Sequence, residues 1–198
     1  MGLTKLTNRI VDIIIASGSG KSDDREVYAY GIEIMLSTVI NLLCIFTIAI
    51  IVGKIAYTIV YMVFFMGLRT VAGGYHAETH LGCLLVMLAA YGLSLLVFFV
   101  PTTYYLWISF VMIVLSASLI FILAPVAHPN KPLDSDDMRR LRALSRSVIA
   151  LEIALILLGW VVVPHLKVYT MAASMGMVTS ALSCGVAVII KKLRKVSP

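Results

Sequence analysis

The sequence predicts an all-α polytopic membrane protein: six transmembrane helices preceded by an N-terminal amphipathic helix lying in the membrane interface. Three observations carry this prediction. First, 61% of the 198 residues are apolar and 13% are charged, against about 45–50% and about 25% in soluble domains, and the mean hydropathy is +1.01. A water-soluble fold of this length could not hide so much apolar surface, and a disordered chain would not contain it. Second, the apolar residues form six continuous runs, near residues 27–52, 55–68, 81–100, 104–124, 148–163 and 168–190. About 20 such residues cross a bilayer as a helix, whereas barrel strands would alternate. Third, fourteen of the sixteen Lys and Arg fall on one side of the resulting topology.

Taken in order, Leu3, Leu6, Ile10, Ile13 and Ile14 recur at three- and four-residue spacing, with Lys5, Arg9 and Asp12 between them. That pattern suits a helix in the headgroup region, not a signal peptide. A polar stretch, Ser17–Glu26, leads into the first span. There Ser22 is a candidate cap, with Asp23, Asp24 and Glu26 favourable to the first turn's dipole. The second and fifth runs are short, so tilt, flanking residues or partial insertion must accommodate them. The whole chain reads as one integral membrane domain, with an interfacial helix over 1–20, a six-span bundle over 27–190 and a basic tail over 191–198. No internal repeat is visible.

The net charge is +6. Because the basic residues sit at the ends of apolar runs, they read as topology signals and lipid headgroup contacts, not as a nucleic-acid surface. The positive-inside rule then places both termini in the cytoplasm. The three cysteines imply no disulfide framework, since Cys44 and Cys184 lie deep in apolar runs.

The chemistry concentrates in residues 69–83, where Arg69, Gly73, Gly74, His76, Glu78, His80 and Cys83 gather at the cytoplasmic mouth of the third span. A thiol attacks as its thiolate, a form favoured by a nearby imidazole or a helix N-terminus. His76 and Cys83 share a helical face, but seven residues of straight helix separate them by about 10 Å. They can meet only if the chain at His76 is not helical, a break that Gly73 and Gly74 permit. These glycines could offer backbone N–H groups to an oxyanion, with Arg69 as a further donor, or could simply form a turn. His80, three residues before Cys83, is a rival base on a regular helix. A metal reading is also open, since His76, His80 and Cys83 fall within about 60° of one helical face. Glu78 is misplaced for a metalloprotease helix, however, and no fourth ligand stands out.

The string Arg69…Gly73-Gly74-Tyr75-His76…Cys83, in a six-span chain of this length, resembles the AgrB family, the membrane endopeptidases of Gram-positive accessory-gene-regulator quorum sensing. A second match is Pro125-Val-Ala-His128-Pro-Asn130-Lys131-Pro132-Leu133, similar to the family's Asn-Lys-Pro loop after span four. The resemblance implies Cys83 as nucleophile and His76 as its base, in a bacterial cell membrane and without a metal or organic cofactor. It implies cleavage of an AgrD-like propeptide on the C-terminal side of its pheromone segment, and cyclisation of the acyl group to a thiolactone or lactone.

The segment 131–146 carries Lys131, Arg139, Arg140, Arg142 and Arg146. It reads either as a dock for an acidic substrate tail, with Lys131, Arg139, Arg140 and Arg142 as substrate-binding residues, or as topology and lipid contact. Glu33 and Glu152 lie within spans, where carboxylates are paired or functional, and Arg69 is a possible partner for either. Asn41 is placed to hydrogen-bond between helices or protomers. Small residues in the sixth span (Ala172, Ala173, Ser174, Gly176, Ser180, Ala181, Gly185) suit close packing and a homodimer. The alternative from another class is a non-enzymatic peptide transporter or accessory subunit, which would tolerate loss of the Cys83 thiol.

Overall fold

The computed structural model describes residues 2–18, 21–75, 77, 79–126 and 134–196. Among them the chain forms helices and turns and no named strand: α1 (Gly2–Ala16), α2 (Arg25–Ile51), α3 (Ile55–Ala72), α4 (His80–Leu95), α5 (Tyr105–Leu123), α6 (Ser135–Val162) and α7 (Lys167–Val196). Helices α2 to α7 are each long and apolar enough to cross a membrane, α4 by continuing in a 3-10 turn to Phe99. The chain is therefore a multi-pass membrane protein. Phe99, Ile122 and Val161 are 86%, 78% and 80% exposed, and only lipid makes such a surface stable.

The short runs are completed by their flanks. The second span runs on to Ala72, and the fifth begins at Ser135, so much of the basic segment is the first three turns of α6. Asp134 caps that helix by accepting from the Asp137 N–H at 2.7 Å, and Asp136 and Asp137 complement the helix dipole. The helix start expected after Ser22 comes later. Residues Ser22–Asp24 form a 3-10 turn and α2 starts at Arg25, preceded by Asp24 without a side-chain cap bond. Likewise α7 continues through Lys191, Lys192 and Arg194, so the basic tail is helical as far as Val196.

Helix α1 folds back along α2, held by an Arg25–Asp12 ion pair at 2.6 Å, and buries Thr7 and Val11. Its Leu6 and Ile13 stay exposed. The centre of the bundle is α3 against α7, with α5 and α6 packed around them. Along α3, Tyr57, Tyr61, Phe65, Leu68 and Ala72 are buried at the three- and four-residue spacing of one helical face. Opposite them, a β-carbon at Gly176 would lie 2.2 Å from the Tyr61 carbonyl oxygen and 2.9 Å from the Phe65 nitrogen. Only glycine lets the two backbones approach so closely. The neighbouring Ala172, Ala173, Ser174, Ser180 and Ala181 are buried within the chain. Most of the small-residue stripe is thus consumed in intramolecular packing, all but Gly185, which is partly buried, so the stripe as a whole does not argue for a homodimer. At the end remote from the 73–79 loop, the Tyr57 hydroxyl donates to the Ser94 carbonyl at 2.9 Å, and Thr58 meets the Tyr91 hydroxyl, joining α3 to α4.

Candidate active site

The site forms where α3 ends, because two consecutive glycines take conformations that side chains avoid. Gly73 has φ +74° and Gly74 φ +137°. The space around them is closed as well: a β-carbon on Gly73 would lie 2.5 Å from the Val126 carbonyl oxygen, and one on Gly74 would lie 1.8 Å from Arg69 Nη1. Val126, just beyond α5, donates its N–H to the Ala72 carbonyl at 2.9 Å and ties the end of α5 to the turn.

Arg69 holds the turn from inside. Its Nη1 donates to the Gly73 carbonyl at 3.0 Å and to Ser183 Oγ of α7, and its Nη2 donates to the Tyr75 carbonyl. Ser183 completes the clamp, because the Tyr75 N–H donates to both its Oγ and its carbonyl, each at 3.0 Å. A planar guanidinium with fixed donors suits this multiple task; an ammonium does not. Arg69 is therefore not the partner of Glu33 or Glu152, as its sequence position allowed. The Gly73 N–H closes the last turn of α3 on the Arg69 carbonyl at 3.2 Å. In this conformation the glycine turn presents neither that N–H nor the Tyr75 N–H to a ligand. His76 and Glu78 lie outside the described residues.

Helix α4 restarts at His80, with Thr79 as its cap: Thr79 Oγ1 accepts from the Gly82 N–H at 3.1 Å. Cys83 sits in the first turn, its N–H bonded to the Thr79 carbonyl at 3.0 Å. Its thiol is half-buried, and Asn41 Nδ2 of α2 donates to its sulfur at 3.7 Å. His80 turns elsewhere. Its Nε2 lies 2.7 Å from Glu33 Oε1 of α2, and no hydrogen bond joins His80 to Cys83. Among the described residues no group of three His, Cys, Asp or Glu side chains is placed to hold a metal ion.

Glu152 is 6% exposed on α6, with Oε2 unbonded among the described residues and Oε1 3.0 Å from where a β-carbon at Gly67 would stand. Arg139, Arg140 and Arg142 are exposed on the first turns of α6. Arg146 instead lies over the Phe121 ring and donates to the Phe121 carbonyl at 3.3 Å. Lys131, with the rest of the Asn-Lys-Pro match, falls outside the described residues. Two contributors escaped sequence reasoning. Asn41 was visible as an amide in an apolar run, but its partner was not. Ser183 gave no signal, being one hydroxyl in a helix rich in small residues.

A family model described as Accessory gene regulator B matches residues 7–185 of the chain. Three similar curated proteins carry the designation AgrB-like protein. That of Listeria monocytogenes serotype 4a (strain HCC23) is 29% identical over 160 residues, covering 77% of this chain and 76% of its own length. Those of Listeria innocua and Listeria welshimeri are 28% and 29% identical with the same coverage. No solved structure matches.

Proposed function

The chain belongs to the AgrB family, and from that premise we propose that it is a membrane cysteine endopeptidase processing an AgrD-like propeptide. Cys83 is the nucleophile and His76 its base. The observation that carries this reading is the placement of Cys83: a half-buried thiol in the first turn of a membrane helix, preceded by a glycine turn clamped by Arg69 and Ser183. The clamp fixes the chain as far as Tyr75, the residue before the proposed base, and ends α3 ahead of it.

In this scheme the Cys83 sulfur attacks the scissile carbonyl, the amine leaves, and a thioester forms. A thioester keeps the acyl group activated, and a substrate thiol or hydroxyl can displace the enzyme sulfur and close a ring. Poor access of water at the membrane edge suppresses hydrolysis. Forming a thioester from an amide is uphill, so removal of the released C-terminal fragment draws the reaction forward. Cyclic product that accumulates with that fragment held in excess would exclude this driving force. Both termini, the basic ends of the spans and the site face the cytoplasm, where Arg139, Arg140 and Arg142 meet acidic parts of the substrate.

The test is Cys83→Ala in membranes that contain the AgrD-like propeptide of the same organism, tagged at its N-terminus. The expected result is normal insertion with no cleavage, and a hydroxylamine-labile adduct on Cys83 in the unmodified protein. Continued cleavage by Cys83→Ala overturns the proposal.

A further inference from the structure

Attack on a peptide carbonyl places negative charge on its oxygen, and rate acceleration depends on donors already aimed at that position. Four backbone donors near Cys83 are engaged. The N–H groups of Gly82 and Cys83 bond to Thr79 at 3.1 and 3.0 Å. Those of Gly73 and Tyr75 bond to Arg69 and Ser183, and both guanidinium nitrogens Nη1 and Nη2 hold the turn. Among the described residues, the side-chain donor that reaches the sulfur is Asn41 Nδ2, at 3.7 Å. Asn41 is 8% exposed in the middle of an apolar helix, a position where an amide is unfavourable without a partner.

We propose that Asn41 is the oxyanion donor of this site, an assignment that rests on the cysteine-peptidase reading above. When the base takes the thiol proton, Sγ bonds to the carbonyl carbon and the C=O π pair moves onto oxygen. That oxygen stands about 3 Å from the sulfur, and a donor about 3 Å from it completes the hole. With Nδ2 at 3.7 Å from Sγ, the three atoms close a triangle with neither helix displaced. On collapse the C=O reforms, the C–N bond breaks, and the leaving nitrogen takes the proton held by the base. Sulfur is a weak acceptor, so the Asn41 amide is poorly satisfied in the resting protein. It gains a strong, charged acceptor only in the adduct, and this difference between ground and transition state is what accelerates the reaction.

The test uses the full chain in liposomes, with the AgrD-like propeptide as substrate and iodoacetamide labelling of Cys83, read by mass spectrometry, as a second measurement. Asn41→Ala, and Asn41→Leu of similar size without donor or charge, should lower kcat by about 10²–10³-fold with little change in KM. Labelling should stay within about threefold, because alkylation passes through no oxyanion. A loss in kcat below about tenfold overturns the assignment. So does a fall in labelling that parallels the loss of processing, since Asn41 would then only hold Cys83 in place. These outcomes are separable from failure of the peptidase reading, which is decided by whether Cys83→Ala still cleaves.

Discussion

Replacing Gly74 with alanine tests the clamp at its tightest point. The new methyl would occupy the place of Arg69 Nη1, 1.8 Å away, and crowd Ser183 Oγ at 2.6 Å. It also puts a side chain at φ +137°, a strain of order 1–3 kcal/mol. Arg69 must swing out and give up at least one charge-assisted hydrogen bond, worth about 1.5–3 kcal/mol. Allowing for partial relaxation, the clamped turn loses about 2–4 kcal/mol relative to open forms, or about 30- to 700-fold in population at 1.4 kcal/mol per decade. Propeptide cleavage in liposomes should fall by up to that range if the clamped turn is the active form. Gly31→Ala is the control: nothing lies within 4 Å of a β-carbon there, and alanine suits a helix interior, so cleavage should stay within about threefold of the unmodified protein. Cleavage by Gly74→Ala at the same rate as Gly31→Ala would refute the clamp as a functional element.

Gly176→Ala forces a methyl against the Tyr61 and Phe65 backbones and should destabilise the α3–α7 contact by about 1–3 kcal/mol; Gly92→Ala, with open space around it, should not, and thermal aggregation in detergent compares the two. Glu33→Gln weakens the hydrogen bond between Glu33 and His80, whose side chains are 31% and 44% exposed. Such a pair contributes no more than about 1 kcal/mol, so cleavage should fall less than about fivefold, and a larger loss would give His80 a direct part in the reaction. Reversing Arg139, Arg140 and Arg142 to Glu should slow cleavage most at low salt and leave insertion unchanged, because long-range attraction acts on encounter. Cleavage that is equally salt-dependent in the reversed protein would remove the α6 arginines from substrate docking.

Much of this architecture was legible in the sequence because its causes are local. Six spans follow from runs of apolar residues, and the ends of those runs follow from charge. The structure lengthened two of them, since Arg69 to Ala72 and the polar residues after Asp134 continue a helix once it is started and capped. Gly73 and Gly74 announced a break, and residue type made Cys83 a candidate nucleophile. The choice between His76 and His80 was not legible by spacing. The resemblance favours His76; the fold adds that His80 is bonded to Glu33, and His76 lies outside the described residues.

What the sequence determined by itself was therefore the number of membrane-length helices, most of their boundaries to within a few residues, with the start of the fifth the exception, and the segment that holds the candidate site. What only the tertiary structure decided was who touches whom there: Arg69 with Ser183, 114 residues on, Cys83 with Asn41, 42 residues back, and His80 with Glu33, 47 residues back. Hydrophobicity fixes that a helix crosses the membrane but leaves its rotation and depth open. Those are set by close contacts such as Gly176 against the α3 backbone, and each polar side chain then takes the partner that this packing brings within reach.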